Sequence, residues 1–135
     1  MAFFTRKDIG RVYVIKMTLP GEVVIHKIGM CHSARSLDRM MEILRSWFSS
    51  YRFVPYTELR LDLQTEHPKE LEAYIHKVLR YKQFLPMYKV DGAQEMFIGI
   101  DELRVITHLR QFDPNNFPLK LSDKDYDNIC QLISP

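Results

Sequence analysis

A lysine sits inside an apolar, β-branched run at Val24-Ile25-His26-Lys27-Ile28-Gly29-Met30. An ammonium group is rarely buried without a partner, so Lys27 requires an anion. Gly29, just after that lysine, permits close backbone approach. Glu72 and His76, four residues apart, are neighbours on one flank of a helix. His76 also opens a run through Lys77, Arg80, Lys82 and Lys89 in which no acid occurs. Such a run is either a solvated helix face or a surface that follows phosphates. The chemistry the basic run suits on the second reading is phosphate binding, and a phosphate-hydrolysing site stays open.

Bulk charge does not announce a nucleic-acid partner, because the net charge is only +2 over 135 residues. Its distribution says more: Asp113, Asp123, Asp125 and Asp127 against Lys120 and Lys124 make the tail −2 and leave +4 for residues 1–112. Other chemistries lack their residues. Asp123-x-Asp125-x-Asp127 has the spacing that opens a calcium loop, but the sixth position is Asn128 instead of Gly and the twelfth is Ser134 instead of Glu. A helix capped by Ser122, with acids in its first turn, accounts for it. There is no GxGxxG, Walker lysine, HExxH or GxSxG. Cys31 and Cys130 form neither a disulfide framework nor a CxxC metal pair, which suits a reducing compartment. No apolar run is long enough to cross a membrane, and charges follow the two phenylalanines of Met1-Ala2-Phe3-Phe4 where a signal peptide would continue apolar. The expected setting is therefore intracellular and cytoplasmic, with no membrane partner.

The elements that must position these groups follow from periodicity. Residues 11–17 and 23–30 read as strands joined through Pro20-Gly21-Glu22 as a hairpin. Ser33 or Ser36 then caps a helix in which Leu37, Met40, Met41, Leu44 and Phe48 draw one apolar stripe, with Arg39 on the opposite side. Leu59, Leu61 and Leu63 alternate with charges, the period of a third strand with one face in the core. Pro68 suits the first position of a second helix whose buried stripe is Leu71, Tyr74, Ile75 and Val78. A short strand is expected over residues 95–100. Two more helices follow, around Leu103, Ile106 and Leu109 and around Tyr126, Ile129 and Ile133, so the class is α+β in one domain.

Five stretches in this order resemble a known family: Gly10 to Lys16 (GRVYVIK), His26 to Met30 (HKIGM), Arg39 to Trp47 (RMMEILRSW), Glu70 to Leu79 (ELEAYIHKVL) and Gly92 to Phe97 (GAQEMF). Together they look like the GIY-YIG nuclease superfamily, in its branch common in phages and large DNA viruses where the second motif reads KIG. The resemblance covers residues 10–100 and leaves 101–135 as a C-terminal helical extension. It implies a small three-stranded antiparallel sheet flanked by helices, and hydrolysis of DNA phosphodiesters with a single divalent metal, Mg²⁺ or Mn²⁺.

By that resemblance Tyr13 takes the place of the first-motif tyrosine and Lys27 that of the second. Arg39 is the helix arginine, with Arg35 as the alternative, and Glu72 is the single metal-binding carboxylate. His76, one turn on, positions a water or contacts the DNA backbone. Arg35, Lys77, Arg80 and Lys82 are the candidate nucleic-acid contacts. The first motif here reads Arg-Val-Tyr, and Ile43 stands where many members carry a catalytic histidine. Tyr13, ordinarily near pKa ~10, becomes a base only where a cation favours its phenolate, and Lys27 and the metal are expected to supply that field. Lys27 itself is expected to point into a cleft where a phosphate balances it. The expected partner is DNA, with RNA also open, and a protein partner for targeting. The other reading is a module of the same fold that binds nucleic acid or a host protein without cutting.

Overall fold

The computed structural model describes residues 10–32, 35–88, 90, 93–112 and 121–135. β1 (Gly10–Leu19) and β2 (Val23–His32) form the antiparallel hairpin, with Tyr13 opposite Gly29 and Ile15 opposite Lys27. Gly21 and Glu22 both take positive φ in its turn. The chain continues through α1 (Ser36–Tyr51), β3 (Tyr56–Thr65), α2 (Pro68–Val78), β4 (Met96–Ile98), α3 (Glu102–Gln111) and α4 (Asp123–Leu132). The class is α+β. Among the described residues the strands make one antiparallel sheet in the order β3-β1-β2-β4, four strands where the family resemblance implies three. The added strand, β4, pairs with Ile25 to Lys27 on one side, takes an isolated bridge from Gln83 to Phe97 on the other, and buries Met96 and Phe97.

Alternation along β1 serves both faces of the sheet. Val12 and Val14 pack with Leu71, Ile75 and Val78 of α2 and with Val105 and Leu109 of α3. Tyr13, Ile15 and Met17 pack on the other side with Ile43 and Trp47 of α1. A strand buried on both faces reads as a continuous apolar run, as residues 12–15 of β1 do. Ser122 caps α4 in a reciprocal box with Asp125, its Oγ accepting from the Asp125 N–H at 3.2 Å. Among the described residues no helix is long and apolar enough to cross a membrane.

Three sequence expectations change. The pairing of β1 with β3 slips between Val14 and Ile15, so that Val14 faces Leu61 and Ile15 faces Leu59. This bulge sends Leu59 to the α1 side and leaves Leu61 and Leu63 on the α2 side, so the three leucines do not share a face. On α1 the buried residues are Ser36, Ile43 and Trp47, with Met40 and Tyr51 packed beside the last two. Leu37, Met41 and Phe48 are instead 62%, 47% and 51% exposed. Ser36 is the first residue of α1 and not its cap; its hydroxyl donates to Asp62 Oδ1 at 2.6 Å, tying the helix to β3. Ser33 lies outside the described residues.

Candidate functional site

β4 stops pairing at Lys27 because the chain before it winds into a 3-10 turn, Ala93–Glu95. Beyond that point the outer edge of β2 still needs hydrogen-bond partners, and α2 supplies them. His76 Nε2 donates to the Ile28 carbonyl at 2.6 Å, and the Glu72 carboxylate is approached by the Met30 backbone N–H. The buried stripe Leu71, Tyr74, Ile75 and Val78 is what leaves residues 72 and 76 on the flank beside this edge.

Tyr13 and Lys27 reach the same edge from the α1 side of the sheet, both with no exposed surface. Lys27 Nζ lies 5.4 Å from the centre of the Tyr13 ring. Gly29 lies beside both: a Cβ on it would stand 2.6 Å from the Tyr13 hydroxyl oxygen and 3.0 Å from Lys27 Nζ. The side chain that Gly29 lacks is the space these two functional atoms use. The anion that Lys27 requires is Glu95, whose Oε2 accepts from the ammonium. Lys27 is therefore buried and balanced by a carboxylate of its own chain, and does not point into an open cleft as the sequence suggests.

Burial pushes the Lys27 ammonium below its ordinary pKa, against the pull of Glu95 and, more weakly, Glu72; Arg39 adds to the lowering. Tyr13 is pushed up by burial first and by Glu95 second, with Arg39 opposing. The field thus favours the neutral phenol, the reverse of the phenolate expected from nearby cations. Its hydroxyl is buried without a hydrogen bond of good geometry among the described residues. Burial and then Glu95 raise Glu72 to about 7, while Lys27 and the Met30 N–H act the other way. Glu72 Oε2 is likewise buried and unpartnered. Burial lowers His76, so the ring is neutral near pH ~7. With Nε2–H committed to Ile28, its Nδ1 is an acceptor.

Of the two helix arginines, Arg39 is the one whose charge acts on Tyr13 and Lys27. It also pairs with Glu42 at 2.9 Å. Arg35 is more exposed and pairs with Glu42 at 2.9 Å and Asp38 at 3.9 Å. The structure therefore brings together Tyr13, Lys27, Arg39, Glu72 and His76. It adds Glu95, which the family resemblance leaves without a role, although a buried lysine calls for a carboxylate and the Gly92 to Phe97 motif contains one.

The basic run divides. Lys77 Nζ lies 3.8 Å from Asp123 Oδ1 and 4.6 Å from the centre of the Tyr126 ring, and Arg80 pairs with Asp127 at 2.9 Å. Both cations thus meet acids of α4. Lys82 closes the following 3-10 turn, and Lys89 lies outside the described residues. If the run follows phosphates, Lys82→Glu should flatten the slope of log affinity for duplex DNA against log salt by about 1. Arg80→Glu, which sets like charge against Asp127, should mainly lower the melting temperature. Anisotropy titrations across salt concentrations, with parallel melts, check this; equal flattening by both variants would make Arg80 a phosphate contact too.

Among the described residues no three His, Cys, Asp or Glu side chains gather as a metal-holding group. A hard divalent ion needs fewer, since Mg²⁺ binds through one or two carboxylates and keeps several waters. The buried, unpartnered Glu72 Oε2 is the kind of atom such an ion satisfies. No family model matches this sequence, and neither a curated protein nor a solved structure matches it.

Proposed function

We propose that this chain is a GIY-YIG-type endonuclease that hydrolyses DNA phosphodiesters with one divalent ion, Mg²⁺ or Mn²⁺. The observation that carries the reading is the convergence of Tyr13, Lys27, Arg39, Glu72 and His76 around the part of β2 that β4 leaves unpaired. Glu72 Oε2 is buried without a partner, and the Tyr13 hydroxyl, which Arg39 approaches, is buried without a hydrogen bond of good geometry. Stability alone selects against such orphaned atoms, each of which costs about 1–3 kcal/mol.

Glu72 would hold the ion, which when bound neutralises charge on the phosphate and lowers the pKa of a coordinated water. Arg39 presents a planar fork to two phosphate oxygens. The acceptor Nδ1 of His76 orients the attacking water, and the Tyr13 phenol, neutral in this field, holds that water from the other side. Lys27 contributes positive charge in a dry site, where charge is felt most strongly. The reading implies an intracellular setting, with the host cell as the site of action if the protein is viral. Purified protein should nick supercoiled plasmid with Mn²⁺ or Mg²⁺ and not with EDTA. DNA binding without nicking would favour the second reading, a non-cutting module of the same fold, which draws on the Lys27–Glu95 pair that withholds the lysine from a phosphate.

Lys27→Met tests the lysine's role. Removing one partner of a buried ion pair is costly when the other charge stays buried, but the Glu95 side chain left behind is 30% exposed and can hydrate. The melting temperature should hold or rise, while nicking falls by about a hundredfold. A variant that cuts at the wild-type rate removes Lys27 from the mechanism.

A further inference from the structure

Glu95 has no assigned role in this reading, yet its charge reaches Tyr13, Lys27, Glu72 and His76 alike. Lys27 is wholly buried with its ammonium on Glu95. Glu72, near enough to feel both, keeps a buried oxygen without a partner, and the hydroxyl of the fully buried Tyr13 beside them is without a hydrogen bond of good geometry. Two carboxylates here share one ammonium, and the ammonium bonds only one of them. The deficit of positive charge lies at Glu72. The opening to solvent lies at Glu95, whose side chain is 30% exposed.

We propose that Glu72 and Glu95 together form the divalent-cation site, and that the Lys27 ammonium is its internal counter-cation, released from Glu95 when the ion enters. This rests on the nuclease reading for the class of ion; the geometry is that of the chain alone. A hard ion collects carboxylate oxygens and water, and a divalent charge displaces a monovalent one from a carboxylate that both contact. The displacement also explains how a lysine with no exposed surface comes to serve a phosphate: while Glu95 holds it, it cannot.

Calorimetric Mn²⁺ titration without DNA decides the matter, using wild type, Glu72→Gln, Glu95→Gln and Lys27→Met, each checked by thermal melting. Glu72→Gln and Glu95→Gln should each weaken Mn²⁺ binding by about tenfold or more. Lys27→Met should tighten it several-fold, a sign that a merely structural lysine would not produce; Lys27→Gln serves if the Met variant does not fold. Wild-type affinity in Glu95→Gln overturns the proposal, and loss in Glu72→Gln alone then leaves the single-carboxylate nuclease centre standing. Weaker Mn²⁺ binding on removing Lys27 overturns the counter-cation role. A wild-type chain that binds no Mn²⁺ removes both this proposal and the metal-dependent reading.

Discussion

Glu72→Gln should reduce plasmid nicking by about a thousandfold, and excess Mn²⁺ or Mg²⁺ should not restore it. The side chain lies on the flank of α2, whose buried stripe of Leu71, Tyr74, Ile75 and Val78 is complete without it. An amide keeps the shape and nearly the same helix propensity. What it loses is the charge that a hard cation needs, and a cation at a phosphoryl centre is worth several kcal/mol, with each ~1.4 a factor of ten.

The same substitution should stabilise the metal-free protein. Glu72 is held at about 7 in the fold against an ordinary value of 4.5. A carboxyl with a raised folded pKa binds its proton more tightly in the folded than in the unfolded chain. Its stabilisation is therefore present below the unfolded value and lost as pH rises through the folded one. Near pH ~8, with EDTA, Glu72→Gln should exceed wild type by about 1 kcal/mol, discounted for a carboxylate that is only half-buried. The advantage should close toward pH ~4, below both values. Melts across this range read the effect. Greater stability with lost cleavage marks a group kept for chemistry, whereas a variant that loses stability at every pH would make Glu72 a packing residue.

The hairpin, α2 and the capped start of α4 were legible because each rests on local chemistry: a Pro-Gly turn, a single apolar stripe behind Pro68, and a serine three residues before Asp125. On α1 two stripes one residue apart compete. Leu37, Met41, Leu44 and Phe48 satisfy helical spacing as well as Met40, Ile43, Trp47 and Tyr51 do. The choice is tertiary: Ile43 and Trp47 pack with Tyr13, Ile15 and Met17 of β1, contacts that periodicity cannot weigh. The leucines of β3 failed for a related reason, since a bulge inverts the alternation without leaving a local mark. Within the site, Lys27 was visible as a misfit in its strand, but its partner Glu95 is 68 positions away. Only the register of β4, which sets Met96 opposite Lys27, brings the two together.

Gly29→Ala, one added methyl group, should lower both stability and cleavage. Its cost does not come from backbone strain, because Gly29 is not among the positive-φ residues. It comes from the 2.6 Å and 2.8 Å distances from the new Cβ to the Tyr13 hydroxyl oxygen and its ring carbon, and the 3.0 Å distance to Lys27 Nζ. Neither side chain can swing into solvent, since both are fully buried, so the ring and the ammonium must shift inside a packed layer. Overpacking of this kind costs about 1–3 kcal/mol, and displacing functional atoms by about an ångström costs on the order of a hundredfold in rate. Gly21→Ala is the contrasting control: its φ of 83° makes alanine strained, yet a Cβ there meets nothing within 4 Å, so stability should fall modestly and nicking should not. Adding Tyr13→Phe to Gly29→Ala removes the 2.6 Å contact and leaves the 2.8 Å one, so it should recover part of the lost stability and none of the activity. If Gly29→Ala melts and nicks like wild type, Tyr13 and Lys27 are not gathered around that missing side chain, and the site loses the contact that holds its two buried members together.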